Sequence, residues 1–227
     1  MEFLELCQRI FLQNDAWVTL LSGAKATVQI TAWSLLLGTL LGAVVCFCRL
    51  AAFAPLAWGA RGYIALLRGS PVLMLLLLLF YGVMAGTDFA PETVAVLAFG
   101  LNTSAHVAEL LRTALSALPR GEVEAARTLG FSRWQAFRYV TLPQLVHLMK
   151  PVYQSTVVNL MQWTSVVGYV TITDLTRVIN NMASRTMQPL LVISAGMLLY
   201  LLMSYAVYGL FALSDWWGKR QKAGEEM

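Results

Sequence analysis

Long apolar runs separated by short polar stretches dominate this chain of 227 residues. A helix that crosses a bilayer needs about 20 mostly apolar residues, because the hydrocarbon core is about 30 Å thick. We predict five spanning helices, at about 26–48, 63–85, 92–115, 151–170 and 190–213. Backbone groups in lipid must be bonded within the chain, so each span is expected to be helical. The pattern predicts an all-α membrane protein.

The segments outside these spans have their own patterns. Residues 1–25 carry apolar side chains at about helical spacing, which predicts an interfacial helix on the outer face; these are Phe3, Leu6, Ile10 and Trp17. We expect no cleaved signal, because this segment lacks a basic start. Polar residues 171–189 predict an outer loop with a short helix, and residues 214–227 a cytoplasmic tail. In the second span, Ser70 and Pro71 suit the N-cap and first helical position.

Composition agrees with a membrane protein. Charged residues make up 12% and hydrophobic residues 58%, with a mean hydropathy of +0.65, whereas soluble domains carry about 25% charged residues. The net charge of +4 lies mainly between the apolar runs, so we predict no nucleic-acid partner. Three cysteines indicate no disulfide framework. His106 and His147 are far apart and no Cys/His cluster is present, so we predict no metal site.

The distribution of basic residues predicts the orientation. Twelve of the 16 Lys and Arg residues fall after the first and third spans, at the start of the second and in the tail. The other four fall in the remaining connections. By the positive-inside rule the richer side is cytoplasmic. The N-terminus is then outside and the C-terminus inside.

The connection at residues 117–150 is too long and too patterned for a simple loop. It predicts one short helix that starts at Pro119 and ends at Gly130, and a second capped by Ser132 and stopped by Pro143. An amphipathic pair on the membrane surface and a docking element for a protein both fit. Its mixed acidic and basic residues suit a protein partner better than anionic lipid.

Polar residues inside the predicted spans form two stripes. Asn102, His106 and Glu109 share one face of span three, and Ser155, Asn159, Gln162 and Val166 share one face of span four. Such residues usually face a bundle interior or cavity. They either line a substrate path or hydrogen-bond between helices. For Glu109 we favour a structural pair with Arg112 or a basic residue of the loop.

Four stretches carry a resemblance to a known family. EAARTLGFSRWQAFRYVTLPQ resembles the EAA motif of ABC-importer permeases. LLRGSPVLMLLLLLFYG is similar to the entry of the second span in polar-amino-acid importers, with Ser70 in place of Thr. AHVAELLRTALSALPRGEVEAA and WTSVVGYVTITDLTR resemble the third span with its lead-in and the exit of the fourth. Together the motifs cover about residues 20–210, in the family's order.

The resemblance implies the type I permease fold of ABC importers, with five spanning helices, an N-terminal interfacial helix and a cytoplasmic coupling helix. It also implies a bacterial inner-membrane subunit that imports a polar amino acid by alternating access. The implied partners are two ATP-binding-cassette ATPases, a second identical or related permease, an extracytoplasmic amino-acid-binding protein and the lipid bilayer. The chain has no GxxxxGK[ST] loop, so we expect no enzymatic activity and no cofactor of its own, with ATP and Mg on the partner ATPases.

The resemblance and the polar stripes together give three sets of candidate residues. The predicted coupling residues are Glu124, Ala125, Ala126, Gly130, Phe131, Trp134, Phe137, Leu142 and Pro143. The candidates for the substrate path are Asn102, His106, Asn159, Gln162, Thr164 and Ser165. The predicted ion-pair residues are Arg68, Glu109 and Arg112.

Two departures from the family leave the substrate open. Many members have Lys-Asp or Lys-Asn where this chain has Gln162 and Trp163, and often Tyr where it has His106. An ABC permease for another small solute, such as methionine, an osmolyte or an organic anion, remains an alternative. A non-ABC channel or scaffold is a further alternative. An intramembrane enzyme is disfavoured, because the spans lack a nucleophile–base, paired-carboxylate or zinc-ligand constellation.

Overall fold

The chain is mostly helical in the part that the computed structural model describes, which is residues 2–11 and 15–225 without the side chains of 2–4, 7, 120 and 217–225. Within these residues there is no β-strand, so the all-α prediction is confirmed. The helices are α1 (Glu2–Phe11), α2 (Ala16–Leu50), α3 (Ala54–Gly69), α4 (Val72–Leu77), α5 (Pro91–Ala117), α6 (Arg120–Thr128), α7 (Arg133–Ala136), α8 (Leu142–Trp163), α9 (Leu175–Thr186) and α10 (Pro189–Glu225). π-helical turns follow α4 at Leu78–Val83 and α7 at Phe137–Thr141, and a 3-10 helix follows α8 at Thr164–Val170.

Three of the described helices are long and apolar enough to cross a membrane, namely α2, α5 and α10. A fourth counts only if the bent pair Ala54–Gly69 and Val72–Val83 is one span. The helix α8 is 22 residues long but does not join this group. The predicted count of five spanning helices therefore stays a prediction.

The second predicted span consists of two helices, and the break between them lies at Ser70 and Pro71. Ser70 lies just after α3 in an extended conformation, with φ −98° and ψ 139°. Its hydroxyl donates to the Leu66 carbonyl at 2.7 Å, so it closes α3 and does not cap α4. A proline disfavours the helical conformation for the residue before it. Pro71 thus explains the break. The predictions that Ser70 caps the next helix and that Pro71 takes its first position were both wrong, because α4 begins at Val72.

The N-terminal segment also differs from the prediction. Residues 16–25 belong to the long helix α2, and α1 is the separate helix; residues 12–14 and the side chain of Phe3 lie outside the described part. Ile10 of α1 is buried in a cluster with Leu175 and Val192. The helix α1 therefore packs on protein through its apolar side.

The chain divides into two compact units. The first consists of Met1–Trp33, Leu73–Val96 and Val157–Met227, and the second of Ser34–Val72 and Leu97–Thr156. In the first unit, Asp174 caps α9 by accepting the backbone N–H groups of Thr176 and Arg177 at 3.1 and 3.0 Å. The short helix predicted within residues 171–189 is thereby confirmed as α9.

In the second unit, small residues bring α2 and α5 into close contact. A β-carbon on Gly42 would lie 2.7 Å from the Cβ of Val107, and one on Gly38 would lie 2.7 Å from the Cβ of Thr103. Helices in membranes associate through close packing, because lipid is as apolar as their side chains. These glycines therefore set the distance between α2 and α5.

Polar side chains add directed contacts within the second unit. The Asn102 amide donates to the Leu67 carbonyl at 2.8 Å, and the Tyr63 and Ser104 hydroxyls are 2.6 Å apart. Both contacts join α3 to α5, and they give Asn102 a packing role. Its place in a substrate path stays a prediction.

We expect Gly42→Ala to destabilise the protein by about 1–3 kcal/mol, because the added methyl group overpacks the α2–α5 contact. Gly62→Ala is the matched control, since nothing lies within 4 Å of a β-carbon at Gly62 in α3. Alanine favours a helix over glycine by about 1 kcal/mol, so the control should be neutral or stabilising. Thermal unfolding of the detergent-purified protein measures both. Equal shifts in the two variants would contradict the packing role of Gly42.

Candidate functional site

The helix α6 ends in a closed turn at Gly130. Gly130 has φ +90°, a left-handed conformation that costs a non-glycine residue about 1–2 kcal/mol. Its N–H donates to the Arg127 carbonyl and the Phe131 N–H donates to the Ala126 carbonyl, both at 3.1 Å. This is the Schellman pattern, which satisfies the last carbonyls of a helix. The predicted glycine turn is confirmed, and it sets the direction in which the chain leaves α6.

The next helix starts two residues later with a complete capping box. The Ser132 hydroxyl accepts the Gln135 N–H at 3.2 Å, and the Gln135 side chain accepts the Ser132 N–H at 2.8 Å. The side chain of Gln144 donates to Glu122, which links the start of α8 to α6. The predicted cap is confirmed. Because both helix ends are hydrogen-bonded, the segment 120–145, here called the elbow, has a defined shape.

Pro143 does not stop the second helix, so that prediction was wrong. The chain is helical from Arg133 through the π-helical turn Phe137–Thr141 and on into α8. The Leu142 N–H donates to the Phe137 carbonyl, one residue further back than in an α-helix. The wider turn shifts the hydrogen-bond register just before the proline, which has no N–H to donate. The elbow is therefore continuous with α8, and Pro151 also lies inside that helix.

The exposed surface of the elbow presents large apolar side chains. Leu129 is 79% exposed, Trp134 69% and Tyr139 66%. Two of these rings each contact a neighbouring phenylalanine. The ring centroids of Tyr139 and Phe131 are 6.4 Å apart, and those of Trp134 and Phe137 are 5.7 Å apart. An exposed cluster of this kind indicates an interaction surface.

The predicted coupling residues divide between the two sides of the elbow. Glu124 and Ala125 are exposed, whereas Ala126 is buried beneath them. Leu129 and Tyr139 belong to the exposed cluster but were not predicted. Tyr139 lies in the π-helical turn, so its direction does not follow the i, i+3 and i+4 spacing used to find Trp134 and Phe137.

An ion-pair cluster joins α2 and α5 in the second unit. The Arg112 guanidinium donates to the Glu109 carboxylate at 2.6 and 2.9 Å, and the Arg49 Nε lies 3.7 Å from its other oxygen. The predicted pair of Glu109 with Arg112 is therefore present. Arg49 is an additional partner, and Arg68 makes no ion pair among the described residues.

The polar stripe of span four lies mostly on an exposed face. Asn159 and Gln162 are exposed, Ser165 is half-buried, and Thr164 is buried with its hydroxyl donating to the Met161 carbonyl at 2.7 Å. His106 in the second unit is half-buried. Assignment of these residues to a substrate path stays a prediction.

A groove of about 740 Å³ lies within the first unit, between the end of α8, α9 and α10. Its walls are largely apolar, but polar side chains from all three elements reach it, namely Gln162, Ser165, Thr176, Asn180, Ser194, Tyr200 and Ser204. The hydroxyls of Thr176 and Tyr200 are 2.8 Å apart. Of these residues only Gln162 and Ser165 were predicted, because the others lie on elements without a polar periodicity.

Two charged residues beside the groove, Asp174 and Arg177, are hydrogen-bonded to backbone groups. Asp174 is fully buried, and burial raises the pKa of its carboxyl, while the N–H groups of Arg177 and Thr176 act in the opposite direction. The Arg177 guanidinium donates to the Gly168 carbonyl at 3.2 Å. These contacts hold the 3-10 helix and α9 together. Among the described residues no group of three His, Cys, Asp or Glu side chains is placed to hold a metal ion.

Known proteins resemble this chain over most of its length. It is 30% identical to the octopine transport system permease protein of Rhizobium radiobacter over 219 residues, 91% of this chain and 89% of that protein. It is also 30% identical to the histidine/lysine/arginine/ornithine transport system permease protein of Salmonella typhimurium, over 89% of this chain and 94% of that protein. The L-cystine transport system permease protein of Bacillus subtilis is 29% identical over 183 residues, 80% of this chain and 78% of that protein.

Solved structures agree with these relatives. An amino acid ABC transporter crystallised with histidines matches with a TM-score of 0.78 at 29% identity, over 87% of this chain and 92% of that chain. A methionine ABC transporter in an inward-facing conformation shares the fold, with a TM-score of 0.68 at 20% identity, over 88% of this chain and 96% of that chain. Residues 27–217 match the family described as binding-protein-dependent transport system inner membrane component. The chain belongs to this family of inner-membrane permeases.

Proposed function

We propose that this chain is the permease subunit of an ABC importer that carries a polar amino acid into the cell. The proposal depends on one observation: the elbow combines hydrogen-bonded helix ends with an exposed apolar face. A rigid, exposed element suits a partner that moves the membrane helices from outside the bilayer. Relatives named for the transport of opines and amino acids support the substrate class.

In this proposal the elbow rests on an ATP-binding-cassette ATPase, and two such ATPases serve two permeases, either identical or related. ATP and Mg stay on the ATPases, and this chain hydrolyses nothing and holds no cofactor. A binding protein delivers the amino acid on the outer side. The distribution of Lys and Arg supports an outer N-terminus and a cytoplasmic C-terminus and elbow.

The class of function is tested by co-expression with an ATP-binding-cassette ATPase and the binding protein, followed by purification and reconstitution. We expect the ATPase to co-purify and the vesicles to accumulate a polar amino acid only when ATP is present. Uptake of methionine, an osmolyte or an organic anion alone would favour the alternative permease. Solute flux without ATP would indicate a channel, and the absence of both flux and ATPase binding would indicate a scaffold.

Gly130→Arg should leave the protein inserted in the membrane but abolish transport or ATPase assembly, because arginine at φ +90° redirects the elbow. Nothing lies within 4 Å of a β-carbon at Gly130, so the β-carbon itself meets no neighbouring atom. Gly121→Arg in α6 adds the same charge at an equally open glycine and should retain more activity. Gly130→Asn should do so too, since asparagine tolerates this conformation. Normal uptake by Gly130→Arg would rule out the coupling role.

Trp134→Ala should weaken ATPase binding by about 2 kcal/mol or more, as expected for an aromatic residue central to an interface. Trp58→Ala is the control, because Trp58 on α3 is 71% exposed but lies outside the elbow. Affinity is measured by titrating the ATPase against the permease in nanodiscs. An equal effect of the two substitutions would argue against the elbow as the docking surface.

A further inference from the structure

The groove of the first unit contains three polar side chains without an internal partner. Within the described chain, the side chains of Gln162, Ser165 and Asn180 reach the groove and make no hydrogen bond. The other polar residues are satisfied, since Ser194 donates to the Leu190 carbonyl and Ser204 to the Tyr200 carbonyl. Gln162 and Asn180 are exposed and Ser165 is half-buried, so their polar atoms are accessible from the groove. Gln162, Ser165 and Asn180 are therefore available to a ligand.

The groove is also free of charged side chains. None of the residues that line it is Asp, Glu, Lys or Arg. The two charged residues nearby are used elsewhere, because Asp174 is buried as the cap of α9 and Arg177 is bonded to the Gly168 carbonyl. The walls are formed by apolar residues such as Ile179, Ile193 and Leu201. A ligand with a net charge would find no opposite charge here.

The dimensions and chemistry suit a small zwitterion. A volume of about 740 Å³ lies within the range of about 300–1,000 Å³ that is usual for small-molecule sites. The amide groups of Gln162 and Asn180 each offer donors for a carboxylate and an acceptor for an ammonium group, and the Ser165 hydroxyl offers both. The apolar walls can cover the remaining carbon chain.

We propose that this groove binds the transported amino acid and selects one whose side chain is uncharged at neutral pH, through Gln162, Ser165 and Asn180. The proposal rests on the proposed function as an amino-acid permease. A zwitterion has no net charge and needs only hydrogen-bonding partners. A lysine or glutamate side chain brings an unpaired charge into an apolar groove, which is unfavourable.

The test is equilibrium binding of radiolabelled glutamine, glutamate and lysine to the permease–ATPase complex in nanodiscs, without a binding protein. The three probes have similar lengths and differ in side-chain charge. We expect glutamine to bind at least about tenfold more tightly than the other two, a difference of about 1.4 kcal/mol. Glutamate or lysine binding as tightly as glutamine would overturn the proposal.

A pair of adjacent asparagines provides the matched variants. Asn180 lines the groove, whereas Asn181 is exposed on the same helix and does not line it. Asn180→Asp should shift the ratio of lysine to glutamine binding about tenfold towards lysine, because the new carboxylate pairs with the ammonium group. Asn181→Asp should leave the ratio unchanged. Equal shifts in both variants would show that general surface charge, and not the groove, sets the preference.

Failure of this proposal differs from failure of the proposed function. If no amino acid binds the complex at millimolar concentration, the groove is not a substrate site, even though ATP-dependent uptake with the binding protein would uphold the permease function. If no amino acid is taken up at all, the proposed function itself fails. Thermal stability and ATPase co-purification of each variant establish that the complex remains assembled.

Discussion

Hydrogen bonding of the backbone where helices break is the constraint on which this structure depends. Neither a bilayer core nor a protein interior offers water to unpaired amide and carbonyl groups, so the chain must supply their partners. The Ser70 hydroxyl bonds to the Leu66 carbonyl where α3 ends. Between the 3-10 helix and α9, the Arg177 guanidinium bonds to the Gly168 carbonyl and Asp174 accepts two N–H groups of the next helix. The polar residues at these breaks are thus explained by the backbone.

The same constraint distinguishes polar groups that only satisfy the backbone from groups on the two candidate surfaces that are left for a partner or a ligand. On the elbow, the Schellman turn at Gly130 and the capping box at Ser132 satisfy the backbone and leave an apolar face exposed. In the groove, most polar groups are paired, but the side chains of Gln162, Ser165 and Asn180 have no partner within the described chain. An exposed apolar face suits a protein partner. Unpaired neutral polar groups in an apolar groove suit a small zwitterionic ligand.

Local sequence signals predicted the elbow well because they act over three to six residues. A glycine at a helix end and the Ser132–Gln135 spacing each specify a hydrogen-bond pattern that needs no other part of the chain. The error at Pro143 arose because a π-helical turn carries the helix past the proline. The error at Ser70 had a similar cause, since a serine before a proline can end one helix as readily as it caps the next. A proline or a serine alone therefore does not specify whether the helix continues, as Pro143 lies within a helix and Pro71 at a break.

By itself, the sequence determined the helical class, the apolar segments, the turn at Gly130, the cap at Ser132 and the spacing that pairs Glu109 with Arg112. These features depend on hydrophobicity and on short-range geometry. Only the tertiary structure decided that Arg49 joins Glu109, that Gly42 contacts Val107, and that Asn180 shares a groove with Gln162. The partners in each of these contacts lie on different helices. Their meeting depends on how those helices pack, which no local periodicity encodes.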